Sequence, residues 1–248
     1  MKRLFDIVAS LIGLALVSPV LITIAVLIKR EDHDPIFYRG MRIGRHGKPF
    51  RIFKFRTMVV NAEKIGGPST ADDDSRITRV GRRIRKRKLD ELPQLINVLK
   101  GDMSFVGPRP EVKHYVDMFT ADEKAILTVR PGITDWASLW NPDEGTILAG
   151  SPDPERTYME TIRPEKIRLQ LKYVRERSFL SDIRIIAQTV KAVVGRKAPT
   201  RIEDALSREE PGIASAQAEM ISGLGPKPNG SLTKTNKDEQ CDILKNSY

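Results

Sequence analysis

Residues 7–28 read IVASLIGLALVSPVLITIAVLI, with no charged side chain and with Ser18-Pro19 at the centre. As a continuous helix rising about 1.5 Å per residue, such a run covers the roughly 30 Å of a bilayer's hydrocarbon core. A cleavable leader is a poor match. Its apolar region rarely exceeds about 15 residues, and no small-x-small site precedes Lys29-Arg30-Glu31. Pro19 removes a backbone donor and crowds the preceding turn, and Ser18 can return a hydrogen bond to a carbonyl so freed. Lys2 and Arg3 precede the run and Lys29 and Arg30 follow it, so charge favours neither end for the cytoplasmic side. Two arrangements stay open on the residues alone: a helix that spans, and a helix broken at Ser18-Pro19 that enters and leaves on one face.

Beyond this segment the chain is polar. Between Pro35 and Met58, two short apolar and aromatic stretches around Gly40, Gly44 and Gly47 predict a small β-hairpin. Asn61 to Asp74, with Gly66-Gly67-Pro68 and Asp72-Asp73-Asp74, reads as a mobile loop. Leu92, Leu95, Ile96 and Leu99 follow the spacing of one helical face, with Pro93 in the first turn and Gly101 as a stop. Thr120 and Glu123 form a capping box ahead of Ala125-Ile126-Leu127. Pro131-Gly132 and Asn141-Pro142 bracket an expected extended segment from Ile133 to Trp140. Two late helices are predicted, from Pro164 to about Arg177 and from Asp182 to Val194. The fold class expected is α+β and mainly helical. Residues 1–32 form the membrane segment, 33–196 a domain with a small hairpin and interfacial amphipathic helices, and 197–248 a polar, disordered tail.

The chain has 248 residues with 42 Lys and Arg against 32 Asp and Glu, a formal charge of +10. An anionic partner is implied: nucleic acid, acidic lipid or a phosphorylated small molecule. One cysteine, Cys241, excludes an intrachain disulfide, and three scattered histidines argue against a zinc cluster. Residues 76–88 hold eight basic side chains and no acid, which reads most simply as a solvated or membrane-facing surface.

The acids Asp90 and Glu91 follow directly, at the start of the Leu92 helix. Consecutive helical residues are turned about 100° apart, so the two carboxylates should have different jobs, or else merely complement the helix's positive end. In chain order stand Lys54-Phe55-Arg56, Thr78-Arg79-Val80-Gly81, Asp90-Glu91, Val106-Gly107-Pro108-Arg109-Pro110 and Arg130-Pro131-Gly132-Ile133-Thr134. Together, behind an apolar amino terminus with a Ser-Pro break, they resemble the bacterial monotopic phosphoglycosyl transferases, the bacterial sugar transferase family, from about Lys2 to Gly195. Where that family commonly has Gly-Trp after the Gly-Ile-Thr turn, this chain has Asp135-Trp136.

The resemblance implies transfer of a sugar-1-phosphate from a UDP-sugar to a polyprenol phosphate, with release of UMP. It makes Asp90 the nucleophile of a covalent aspartyl-phosphosugar intermediate, and Glu91 a Mg²⁺ ligand or an aid to the acceptor, Asp90 and Glu91 together being the candidate metal ligands. Arg85 and Arg109 match site arginines, and a guanidinium fork suits phosphate. Lys54 and Arg56 alternate on a strand and so share a face, with phosphate or a lipid headgroup as candidate ligand. The resemblance also implies re-entry at Ser18-Pro19, a place on the cytoplasmic face of the bacterial inner membrane, and anionic lipids and downstream glycosyltransferases as partners. Two other classes remain: a scaffold of the same fold without activity, and a nucleic-acid-binding protein. The second leaves both the apolar run and the acidic pair without a role.

Overall fold

The computed structural model describes residues 1–66 and 70–194, so the tail expected at 197–248 lies outside the described residues. Helix α1 runs Lys2–Asp32 with Pro19 inside it. The Ser-Pro pair is accommodated within one helix rather than dividing two. Pro19 offers no N–H to Ala15 O, and the Ser18 hydroxyl donates to that carbonyl instead at 2.8 Å.

Four short strands follow, β1 (Phe37–Tyr38), β2 (Met41–Ile43), β3 (Pro49–Arg51) and β4 (Lys54–Phe55). They nest: β2 pairs antiparallel with β3, and β1 with β4 in the register Tyr38 to Lys54. This is the expected hairpin, folded twice. The segment from Asn61 to Asp74 is not all loop, since it holds α2 (Ala62–Ile65). Asp72 is anchored as well, its N–H donating to Gly145 O at 3.2 Å and its carboxylate accepting from Thr146 Oγ1 at 3.0 Å.

Helix α3 (Arg79–Lys86) is started by Thr78, whose hydroxyl accepts from Gly81 N at 2.9 Å. Gly81 has no alternative residue, because a Cβ there would lie 2.1 Å from Thr57 O. A left-handed Lys88 then turns the chain into a 3₁₀ turn, Leu89–Glu91, ahead of α4 (Gln94–Lys100). Strand β5 (Ser104–Val106), helix α5 (Lys113–Asp117) and a 3₁₀ helix Glu123–Thr128 come next, the last with its capping box formed between Thr120 and Glu123. Strand β6 (Gly132–Thr134) lies parallel to β5, with Ser104 opposite Gly132 and Val106 opposite Thr134. The two backbones approach so closely that a Cβ on Gly132 would meet Gly107 N at 2.1 Å.

The expected extended segment ends at Thr134. Asp135 Oδ1 accepts from Ser138 N at 2.7 Å and so starts helix α6 (Trp136–Trp140), where a strand to Trp140 was predicted. Helices α7 (Glu144–Leu148) and α8 (Pro154–Thr157), a π turn Tyr158–Ile162, α9 (Arg163–Glu176) and α10 (Phe179–Val194) complete the domain. The last two are the late helices expected, each starting slightly earlier than predicted.

Helix α1 is fixed at both ends and bare between them. At the front, Arg3 donates to Val98 O at 2.5 Å and Leu99 O at 2.8 Å, capping the carboxyl end of α4. Asp6, also buried, accepts from Ser104 Oγ and Phe105 N. At the back, Ile24 and Ile28 pack with Phe55 and Ile84, each such burial contributing roughly 1.5–3 kcal/mol. Glu31 Oε1 accepts there from Val80 N at 3.0 Å. Between these anchors Leu11, Ile12, Leu16, Val20 and Ile22 are exposed.

Candidate active site

Three elements bring the site together. The 3₁₀ turn after left-handed Lys88 carries Asp90 and Glu91. Strand β4 supplies Lys54, and the Gly107-Pro108-Arg109-Pro110 segment leaving β5 supplies Arg109. The Gly107 and Gly132 backbone contact fixes where that segment starts: Gly107 N donates to Thr134 O and Gly132 N to Pro108 O, both at 3.0 Å.

Lys54 Nζ donates to Glu91 Oε1 at 2.7 Å. Arg109 grips the same carboxylate in a fork, Nη1 donating to Oε2 at 3.1 Å and Nη2 to Oε1. Burial pushes the Glu91 carboxyl up, but the Arg109 and Lys54 charges and hydrogen bonds outweigh it and hold this group well below the usual carboxylate range. Asp90 differs. It is 9% exposed and accepts no hydrogen bond among the described residues. Burial, and then the Glu91 charge, raise its pKa, opposed by Lys54, Arg85 and Arg109. Adjacent carboxylates are thus pushed in opposite directions, one clamped and one unclamped.

Arg85, on the last turn of α3, is half-buried, acts electrostatically on Asp90, and has no hydrogen-bonded or ion-paired partner among the described residues. Its fork is available to an incoming anion. Arg56 is placed otherwise. Its guanidinium is clamped on Asp32, Nη1 at 2.7 Å and Nη2 at 2.5 Å, with Nε donating to Pro35 O. It ties the end of α1 to β4. Lys54 and Arg56 do alternate along the chain, but only Lys54 joins the dyad.

Behind Arg109 lies a group that the sequence reading missed. Lys166 Nζ sits 2.7 Å from Glu111 Oε1 and 2.9 Å from Glu144 Oε1, and donates to Tyr158 OH at 3.3 Å. Lys166 is 4% exposed. Burial lowers its pKa, yet the charges of Glu111 and Glu144 more than offset that and carry it well above the usual lysine range. Glu144 and Glu111 also act on Arg109. One signal was available: Ile162, Lys166, Leu169 and Tyr173 keep the spacing of a buried helical face, with a lysine in place of an apolar residue. Asp135 is fully buried, its pKa raised by burial, and its Oδ2 has no partner among the described residues.

The donor set fits a magnesium ion held by few protein ligands. Among the described residues no three acidic, His or Cys side chains could hold a metal by themselves. Mg²⁺ usually takes one or two carboxylates and completes its shell with phosphate and water. Asp90 offers such a carboxylate, while both oxygens of Glu91 are engaged by Lys54 and Arg109.

Residues 1–196 match the family model described as bacterial sugar transferase. The chain is 38% identical over 196 residues to an Aeromonas hydrophila UDP-N-acetylgalactosamine-undecaprenyl-phosphate N-acetylgalactosaminephosphotransferase, covering 78% of this chain and 43% of the relative. It is 39% identical to the UDP-glucose:undecaprenyl-phosphate glucose-1-phosphate transferase of Escherichia coli strain K12, covering 77% of this chain and 39% of that protein. With the uncharacterized sugar transferase EpsL of Bacillus subtilis strain 168 the identity is 36%, over 78% of this chain and 87% of the relative. The chain therefore spans less than half the length of the first two and most of the third.

Proposed function

Because the chain belongs to the bacterial sugar transferase family, we propose that it transfers a sugar-1-phosphate from a UDP-sugar to undecaprenyl phosphate, releasing UMP and starting a glycoconjugate. The observation that carries this reading is the split dyad. Glu91 is neutralised by Lys54 and Arg109, while Asp90 beside it has no hydrogen-bond partner among the described residues and faces the open fork of Arg85.

The chemistry assigned to these residues runs in two displacements. In the first, an Asp90 carboxylate oxygen bonds to the β-phosphorus, the bond from that phosphorus to the bridging oxygen breaks, and UMP leaves with the electron pair. In the second, a phosphate oxygen of the polyprenol phosphate attacks the same phosphorus, and Asp90 departs as a carboxylate. Arg85 orients the diphosphate by bidentate hydrogen bonds. Lys54 and Arg109 keep Glu91 ionised and fixed, so the turn holding Asp90 does not swing as charge accumulates. Magnesium bound at Asp90 and the diphosphate would offset the repulsion between carboxylate and phosphate oxygens and polarise the phosphorus.

Detergent-solubilised protein supplied with Mg²⁺, undecaprenyl phosphate and UDP-glucose, UDP-galactose or UDP-N-acetylgalactosamine is expected to release UMP from one donor, only when the lipid is present. Release of UDP instead would mean transfer of the sugar alone and would overturn the two-step reading.

We also place α1 in the cytoplasmic membrane as a re-entrant helix, with the domain on the cytoplasmic face. What supports this is the attachment of both ends to one domain: Lys2, Arg3 and Asp6 at the front, Glu31 and Asp32 at the back, with bare apolar side chains between. A spanning helix would separate those ends by the roughly 30 Å core. In a Cys241→Ser background, a cysteine inserted after Met1 and an Asp34→Cys substitution should both react with an impermeant maleimide from the cytoplasmic side only. Labelling from opposite sides would establish a span.

A further inference from the structure

A cavity of about 290 Å³ opens where the amino end of α1 meets β5 and the junction of α9 with α10. It shares no lining residue with the Asp90 site. Four cations and two acids border it, and their hydrogen bonds sort them. The acids are engaged from within the protein. Asp182 takes Lys2 Nζ at 2.5 Å and Tyr173 OH at 2.9 Å, and Asp6 takes Ser104 Oγ and Phe105 N. Lys2 is held in the same network, donating also to Val106 O at 3.0 Å.

The three arginines are not matched in this way. Arg45 uses only its Nε, on Thr128 O at 3.0 Å, and Arg130 only its Nε, on Gly101 O at 3.0 Å. Both terminal nitrogens of each remain without a partner among the described residues. Arg177 has no partner there and acts on Tyr173 by its charge. Three guanidinium forks bordering one cavity, with the local carboxylates already paired, form a receptor for a tetrahedral oxyanion.

The rim names the source of that anion. Phe179 lines the cavity and is 47% exposed, its ring edge-on to Phe5 at 5.8 Å, and Leu180 and Leu4 are exposed beside it. A soluble phosphate has no use for such a rim, whereas a lipid places its phosphate at the headgroup level and its chains against apolar side chains. We propose that this cavity binds the headgroup phosphate of an anionic phospholipid, held by Arg45, Arg130 and Arg177 at a place separate from the acceptor lipid of the reaction. It seats the front of the domain on the membrane where Lys2 and Asp6 already fix α1. The lipid as source rests on the membrane placement of α1; the phosphate chemistry does not.

The test uses the full chain in uncharged detergent, with dihexanoyl-phosphatidylglycerol as the probe and its Kd as the readout. Arg45 and Arg177 are exposed, so Arg45→Gln/Arg177→Gln should fold normally and keep UMP release, while losing about 30-fold in affinity on the scale of roughly 1 kcal/mol per basic residue. Arg45→Lys/Arg177→Lys, which keeps the charge, should retain most of the affinity. Equal Kd for wild type and the Gln variant would overturn the site. Inorganic phosphate at millimolar concentration binding as tightly as the lipid, with the same arginine dependence, would overturn the lipid assignment. Failure of UMP release in the wild type bears on the Asp90 chemistry alone, because this binding needs no turnover.

Discussion

Asp90→Asn is expected to reduce UMP release by about 10³-fold or more, about 4 kcal/mol in barrier height, while leaving the melting temperature unchanged or raised. The two halves have one origin. Burial and the Glu91 charge raise the Asp90 pKa above its ordinary value of 3.8. A carboxyl raised in the folded state contributes stability that is complete below its unfolded pKa and is lost as pH climbs through the folded one. At pH 7 the ionised Asp90 therefore costs the fold stability, and an isosteric neutral amide removes that cost. A residue kept for packing would behave in the opposite way, losing stability and activity together. With the acceptor lipid withheld, the wild type should accumulate a phosphosugar mass adduct on Asp90 that the Asn variant lacks. Activity within tenfold of the wild type would remove Asp90 from the chemistry. The same shift sets the acid side of the pH profile, since the attacking oxygen must be ionised. Rate should begin to fall at a pH above the usual aspartate range, while Glu91, held well below that range, stays ionised throughout.

How far the sequence reaches can be judged at particular residues. The apolar run, the hairpin, the α4 face and the late helices were legible because each is a local pattern with its own period or punctuation. The dyad was legible as two carboxylates with separate jobs, and the structure pairs only Glu91 with Lys54 and Arg109. Arg56 illustrates the limit. Alternation placed it with Lys54, but Asp32, 24 positions earlier, engages its fork once α1 docks. The strand expected to reach Trp140 stopped at Asp135 because a buried side-chain cap outweighed the β propensity of what followed. Close backbone approach explains the glycines of two motifs, Gly107 and Gly132, yet neither motif reveals that its partner is the other. Such pairings are made by tertiary contact and leave no local trace.

The Lys166 cluster is the largest such pairing, and its removal should be the most damaging single change to the fold. Lys166→Met deletes the only ammonium between Glu111 and Glu144 among the described residues, leaving two carboxylates at a site that is closed to water on the lysine side. Breaking a buried ion pair from one side costs about 3–5 kcal/mol, which for a domain of this size lowers the melting temperature by roughly 6–20 °C. The pH dependence separates this cause from lost packing, since Met fills much of the lysine's volume. In the wild type, Glu144 lies below its ordinary 4.5, so its contribution is present above that value and lost only as pH falls through its folded pKa. Lys166 lies above its ordinary 10.5, so its contribution is present below that value. The cluster is accordingly constant in strength between about pH 5 and 9. In the variant the two carboxylates favour the proton, so its melting temperature should rise as pH is lowered from 8 to 5 while the wild type's does not. Adding Glu111→Gln and Glu144→Gln should recover part of the loss at pH 7 and abolish that rise. A loss below about 1 kcal/mol, or one that is flat with pH, would mean that packing rather than charge holds this corner. Activity follows by the same electrostatics: Glu111 and Glu144, once released from Lys166, compete with Glu91 for Arg109, and the clamp that distinguishes Glu91 from Asp90 loosens.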